Sequence, residues 1–239
     1  MNGLLYHLVS WAFDELIWGG DLVHSENLPS HGPAVIVSNH LGALGPIAVG
    51  GSVPLQLHAW IHADMLDPEL APDYLRRDFV ERQLHLSQPF SGWLAALISK
   101  IHVPLLRALG GVPVYPATSD HQMTFDISVG LLEQRMFILI FPEDPSLPMD
   151  PRTRMTPFKK GFTRLGELYY QKTGKILSFH PLAVHAESFT VRAGSPVRYN
   201  PLNNAARERI RIKNQLEDSI HGMYLEASHG EIVQLPLPN

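Results

Sequence analysis

Val35-Ile36-Val37-Ser38-Asn39-His40 is the stretch on which the fold turns. Ala34–Ser38 is a short apolar run rich in β-branched residues, and such a run reads as a strand buried on both faces. It delivers a histidine just past its own C-terminal end. In an open α/β sheet that edge is where ligands bind. A neutral imidazole there can take the proton of an attacking hydroxyl, which is general-base work near the group's natural pKa. A histidine after a strand is more often structural, so its surroundings must carry the argument.

A second strand ends in the same way. Met136–Phe141 is apolar, and Pro142-Glu143-Asp144 follows, placing two adjacent carboxylates at a strand terminus. They read either as solvated loop acids or as groups that shape a site. Val112–Tyr115 and Ile176–Val184 are further strand-like runs. Helical segments open at Asp120 or Thr124 and reach about Gln134, cover Lys159–Lys172, and run from a cap at Asn203 or Asn204 to about Ala227. Phe189–Arg192 and Val197–Tyr199, separated by Ala193-Gly194-Ser195-Pro196, read as a hairpin. Strands alternating with helices predict an α/β fold with a mostly parallel central sheet flanked by helices.

The 239 residues contain no repeat, low-complexity run or Gly/Ser linker, so the expectation is a single domain over 1–239. Hydrophobic residues make up 45% and charged residues 18%, a globular rather than a disordered balance. With no cysteine, a disulfide framework, a thiol nucleophile and thiolate metal sites are excluded. Charge is distributed unevenly. Residues 1–75 hold eight acids and no Lys or Arg, while the rest of the chain holds all 19 basic residues against 15 acids. Positive side chains for any anion must therefore come from the C-terminal two-thirds. No long basic stripe exists outside one late helix, which argues against nucleic-acid binding.

Residues 1–20 are expected to form an amphipathic N-terminal helix. His7, Ser10 and Asp14 make a narrow polar strip, and Leu4, Leu5, Leu8, Trp11, Ala12 and Leu16 a broad apolar face. The run is shorter than the ~20 residues a spanning helix needs, and it has no positive n-region of a signal peptide. It reads as a helix lying flat on a bilayer or as one packed on the core. Ser91–Leu109 is apolar at nearly every position. A buried helix is the plainer reading, broken or kinked by Pro104; a second membrane-facing surface or the wall of an acyl-chain tunnel is the sharper one.

In order along the chain, Asn39-His40, Leu109-Gly110-Gly111-Val112-Pro113-Val114, Phe141-Pro142-Glu143, Phe158-Lys159-Lys160-Gly161 and Pro181-Leu182-Ala183-Val184 form a set that resembles the glycerolipid acyltransferases, the group of 1-acylglycerol-3-phosphate acyltransferase. Glu26-Asn27-Leu28-Pro29 and Val191–Val197 look similar too, so the resemblance covers roughly 20–200, with a helix over 203–229 beyond it. It implies acyl transfer from acyl-CoA or acyl carrier protein to a lipid hydroxyl, and a cytoplasmic protein peripheral to the inner face of a membrane. It implies His40 as general base, with Glu143 and Asp144 in the active-site loop. Asn39, Gly110, Arg152, Arg154, Lys159 and Lys160 fall to substrate binding.

The departures carry equal weight. The family's first motif is N-H-x-x-x-x-D, and Gly45 stands at the aspartate position. In a serine-protease triad the equivalent loss costs about four orders of magnitude in rate. Pro116 stands where the second motif ends in arginine. Phe141-Pro142-Glu143-Asp144-Pro145-Ser146 replaces F-P-E-G-T-R, so both arginines for an acceptor phosphate are gone. Arg152, Arg154, Lys159 and Lys160 are the substitutes at hand, or the acceptor carries no phosphate. Asp144 is the first candidate to serve His40 in place of the lost acid, ahead of Asp64 and Asp120.

His58 and His62, read as neighbours on one helix face with Asp64 close by, resemble a zinc pair but bring no third ligand, so no metal is expected. Arg207, Arg209, Arg211 and Lys213 on the last helix read as a solvated face or as a contact for anionic head groups. Three functions follow: a lipid acyltransferase needing no cofactor beyond its acyl donor, a catalytically inactive lipid- or acyl-CoA-binding module, and a thioester or ester hydrolase.

Overall fold

The computed structural model describes residues 3–82, 84–115 and 121–234. Pro116 and Asp120, singled out above, lie outside them. In chain order the helices are α1 (Gly3–Phe13), α2 (Leu44–Ser52), α3 (Ala63–Leu66), α4 (Ala71–Leu75), α5 (Phe90–Ala108), α6 (His121–Glu133), α7 (Arg164–Thr173) and α8 (Ala205–Gln234). The strands are β1 (Asp21–Val23), β2 (Ala34–Ser38), β3 (Leu57–His62), β4 (Val112–Val114), β5 (Phe137–Ile140), β6 (Ser178–His185), β7 (Thr190–Ala193) and β8 (Val197–Arg198). Contacts group the chain into two compact units, Met1–Tyr6 with His58–Ile127, and His7–Leu57 with Ser128–Asn239.

In the larger unit the strand order is β1-β7-β6-β2-β5, with β8 beside β6. β2 pairs in parallel with both β5 and β6, and β1 in parallel with β7; only β7 and β8 run against β6. The α/β fold with a mostly parallel sheet is therefore as expected. Every residue of β2 is buried, because the strand is central and covered on both faces, as its unbroken apolar composition requires. The expected hairpin is corrected. β7 and β8 do not pair with each other; each pairs with a different part of β6, so the tight hairpin is β6–β7.

α8 starts where Asn204 Oδ1 accepts the N–H groups of Ala206 and Arg207, at 3.0 and 3.3 Å, satisfying two of the helix's orphan donors. α7 ends at Gly174, whose φ of 68° gives the left-handed cap a side chain would resist.

In the smaller unit β3 and β4 pair in parallel, Trp60 opposite Val112 and His62 opposite Val114. α5 packs Ala95 against Leu75 and Val80, with Phe79, Leu94 and Ile98 at the margin of this cluster. Two expectations for α5 need correction. Pro104 lies inside the helix without ending it. The helix is also not buried all round: Ser91, Ala95, Ser99 and Val103 are its buried positions, whereas Phe90, Trp93, Leu97 and Ile101 are 72, 68, 46 and 69% exposed.

α1 is turned the same way. Leu4, Leu8 and Trp11 are exposed, and on the polar strip Ser10 Oγ donates to the Gly50 carbonyl at 2.5 Å. No helix among the described residues is long and apolar enough to cross a membrane.

Candidate active site

The register of the sheet builds the site. Val37 lies opposite Ile140 in the parallel pair β2–β5. Three residues beyond each partner stand His40 and Glu143, so equal extension past the strand ends brings the two motifs together. Glu143 Oε1 accepts the backbone N–H of His40 at 2.6 Å. Its other oxygen accepts the backbone N–H of Thr156 at 2.9 Å. One carboxylate thus ties the turn after β2 to the loop after β5.

Asn39 fixes the other side of the turn. Its amide nitrogen donates to the Val184 carbonyl at 2.9 Å, and its oxygen accepts the Val184 N–H at 2.7 Å. The side chain is fully buried. Expected at the substrate, it instead gives both polar groups to β6 and acts as a brace.

Beyond His40 the chain reverses through Leu41 and Gly42, with φ of 45° and 65°. The Gly45 N–H then donates to the His40 carbonyl at 2.9 Å. A Cβ placed on Gly45 would sit 2.2 Å from the His40 oxygen and 2.7 Å from that of Asn39. Both neighbours are backbone, so neither can move aside cheaply. This turn has no room for an aspartate at position 45.

The His40 residue is exposed, and its ring meets Phe141 edge-on with centroids 5.0 Å apart. Loss of hydration from the protein packed around the turn holds its pKa below the ordinary histidine value. The charge of Glu143 and backbone hydrogen bonds at Gly42 and at His40 itself pull the other way. A depressed pKa leaves the ring neutral at pH 7, the form a general base needs. Among the described residues no carboxylate hydrogen-bonds the ring; Glu143 acts on it through charge and through the backbone.

The other expected residues fall as follows. Asp144 accepts the Ser146 hydroxyl at 2.7 Å and its N–H at 3.1 Å, and lies 3.4 Å from Lys159 Nζ. These partners, Ser146 foremost, lower its pKa. Its carboxylate is therefore committed within its own loop, and the acid that meets the His40 segment is Glu143. Lys159 is held beside the site because its N–H donates to the Pro142 carbonyl at 2.8 Å. Lys160 is exposed one residue on. Arg152 pairs with Asp150 at 3.1 Å and Arg154 with Glu187 at 3.2 Å. Of the four substitute cations, Lys159 is the one the backbone ties to the Glu143 loop.

Gly110 belongs to the smaller unit. Its carbonyl accepts from His58 Nδ1 at 2.8 Å. Asp64 belongs there too and lies 3.7 Å from His62 Nδ1. His58 and His62 stand on a strand, not a helix. Four residues along a strand span ~13 Å, too far for two ligands of one ion. No group of three His, Asp or Glu among the described residues could hold a metal. Thr156, which completes the grip on Glu143, was missed; a threonine between Met155 and Pro157 carries no sequence signal for that role.

No family model and no curated protein matches this sequence. Among solved structures, one similar to it is that of the 1-acyl-sn-glycerophosphate (LPA) acyltransferase PlsC from Thermotoga maritima. The two are 14% identical with a TM-score of 0.49, and the match covers 92% of this chain and 78% of that one.

Proposed function

We propose that the chain is a lipid acyltransferase working at the cytoplasmic face of a membrane, with acyl-CoA or acyl carrier protein as donor, a lipid hydroxyl as acceptor and His40 as general base. The observation that carries the reading is the His40–Glu143 junction: two motif ends locked together by a 2.6 Å hydrogen bond while the His40 residue stays exposed. The ordered set of motifs resembling the glycerolipid acyltransferases gives this junction its chemistry.

In the reaction the acceptor oxygen attacks the thioester carbonyl carbon as its proton passes to the neutral His40 ring. The C–S bond then breaks, and the thiolate leaves with the proton returned by the imidazolium. The Glu143 charge, which favours the protonated ring, offsets part of the loss of the motif aspartate. Because the His40 N–H is spent on Glu143, stabilisation of the oxyanion falls to the turn amides at Leu41 and Gly42. Lys159 is the cation we assign to a polar acceptor head.

The test is acyl-CoA consumption over a panel of lysophospholipid and neutral glycerolipid acceptors, wild type against His40→Ala. Acylated product from the wild type alone supports the reading; equal product from both removes His40 from the mechanism. A second reading, an inactive acyltransferase fold that binds lipid or acyl-CoA, is favoured by the filled position at Gly45. It requires binding without turnover for every acceptor.

A further inference from the structure

We propose that the outward face of α5 is a docking surface for a bilayer containing anionic phospholipid, with a cleft at Lys100 and Arg107 receiving the lipid phosphate. Phe90, Trp93, Leu97 and Ile101 repeat at helical spacing, and all four are exposed. The helix buries small residues inward and presents its large apolar ones outward, the reverse of what a helix serving only a core does.

The charge on this segment selects the partner. Between Glu81 and Asp120 the chain holds Arg82, Lys100 and Arg107 and no acid. α5 itself carries Lys100 and Arg107 and no acid, and the acids of the elements before it, Asp67, Glu69, Asp73, Asp78 and Glu81, are not among the residues lining the cleft; with aromatic and aliphatic side chains turned outward, this face fits an anionic interface. The cleft is an independent observation on the same helix. About 350 Å³ in volume, it is lined by Ser99, Lys100, Val103, Pro104 and Arg107 with Pro68 opposite. Arg107 Nε donates to the Leu66 carbonyl at 2.7 Å, which fixes the guanidinium in place with its terminal nitrogens left for an anion. α1 also exposes apolar side chains, but residues 3–13 carry no Lys or Arg.

This surface deepens the lipid-acceptor reading and rests on it for its purpose, but it is measured without turnover. The experiment is co-sedimentation of the full chain with phosphatidylcholine vesicles and with phosphatidylcholine/phosphatidylglycerol vesicles at low and high salt. The wild type should partition to the anionic vesicles and release as salt screens the charge. Leu97→Asp/Ile101→Asp should lower partition by at least about tenfold. Lys100→Glu should lower it by about fivefold or more on anionic vesicles and leave neutral ones unaffected.

All these side chains are exposed, so melting temperatures should match the wild type. Phe90→Ser/Trp93→Ser gives a second variant should the first destabilise the fold. Unchanged partition in the α5 variants, or a loss seen only with Leu8→Asp/Trp11→Ser on α1, overturns the proposal. So does a wild type that ignores vesicles and self-associates through Leu97 and Ile101. A chain that docks through α5 yet transfers no acyl group sinks the proposed activity and leaves this surface standing; transfer without docking does the reverse.

Discussion

His40 and His58 have much in common. Both lie in or just past a parallel strand, and both have pKa values pushed down, chiefly by loss of hydration. They differ in what surrounds the ring. His58 is 5% exposed; its Nδ1 donates to the Gly110 carbonyl, and its buried Nε2 has no partner. His40 is exposed; its backbone N–H is tied to Glu143, and its ring meets backbone groups of its own turn, at Gly42 and at His40 itself. A depressed pKa therefore does not mark a base. Access does, together with a carboxylate whose charge favours the protonated ring.

The sharpest way to break this contrast is to remove each ring. His40→Ala should cost about 10²–10⁴-fold in kcat/KM, the usual worth of a positioned general base, and leave the melting temperature within a degree or two. His58→Leu should do the opposite. It strands the Gly110 carbonyl, costing roughly 1–3 kcal/mol of stability, while kcat/KM moves less than about threefold. Thermal melts beside initial rates read both. A stability loss in His40→Ala matching that in His58→Leu would erase the distinction.

Gly45 comes next. If the lost aspartate were a simple defect, Gly45→Asp would repair it. The geometry predicts harm instead: both Gly45→Ala and Gly45→Asp force a Cβ onto the His40 carbonyl, costing about 1–3 kcal/mol or more. Turnover should fall in both. A Gly45→Asp chain that melts like the wild type and reacts faster would show that the turn opens to admit the family's acid.

Glu143→Gln probes the support. Gln keeps an oxygen for one N–H but loses the charge, and a hydrogen bond to a charged group is worth ~1.5–3 kcal/mol. About a tenfold loss in kcat is expected. Because the Glu143 charge raises the His40 pKa, the acid limb of the pH–rate profile should also move to lower pH, a shift that mere loosening of a loop does not produce.

How much of this was legible follows from where each piece of information resides. The bounds of β2 could be read to the residue, because a buried central strand is written in its own composition. β5 and β6 ended within two residues of expectation for the same reason. β3 escaped, since a histidine pair spaced by four fits a strand face as well as a helix face. The pairing of His40 with Glu143 depends on the register of β2 with β5, which no local pattern encodes. For that reason Asp144, the neighbour in sequence, looked as good a partner. The crowding at Gly45 depends on a turn with two consecutive positive φ values, invisible in the letters. The uniform hydrophobicity of α5 left a buried helix and a membrane-facing one both open, because it carries no label for inside and outside.

The smallest expected effect returns to the histidines through pH. His58, His102 and His180 all have folded pKa values lowered first by burial. The unfolded chain, with ordinary values near ~6.5, therefore takes up protons first as pH falls. Their contribution to stability is whole above the unfolded value and is lost as pH drops through it toward the folded ones. Glu208 acts in a separate window. Burial raises its pKa, but hydrogen bonds from Arg211, Asn203 and Asn200 overcome this and set it at about 2, against 4.5 unfolded, so its share is lost only in stronger acid. Melting temperature should then decline between pH 7.5 and 5 as the histidines whose pKa values burial lowers are protonated, and His58→Leu should flatten that decline while lowering the whole curve. An equally steep decline in the variant would mean that His58 is not among the groups being protonated, and that its burial differs less from that of His40 than the structure has it.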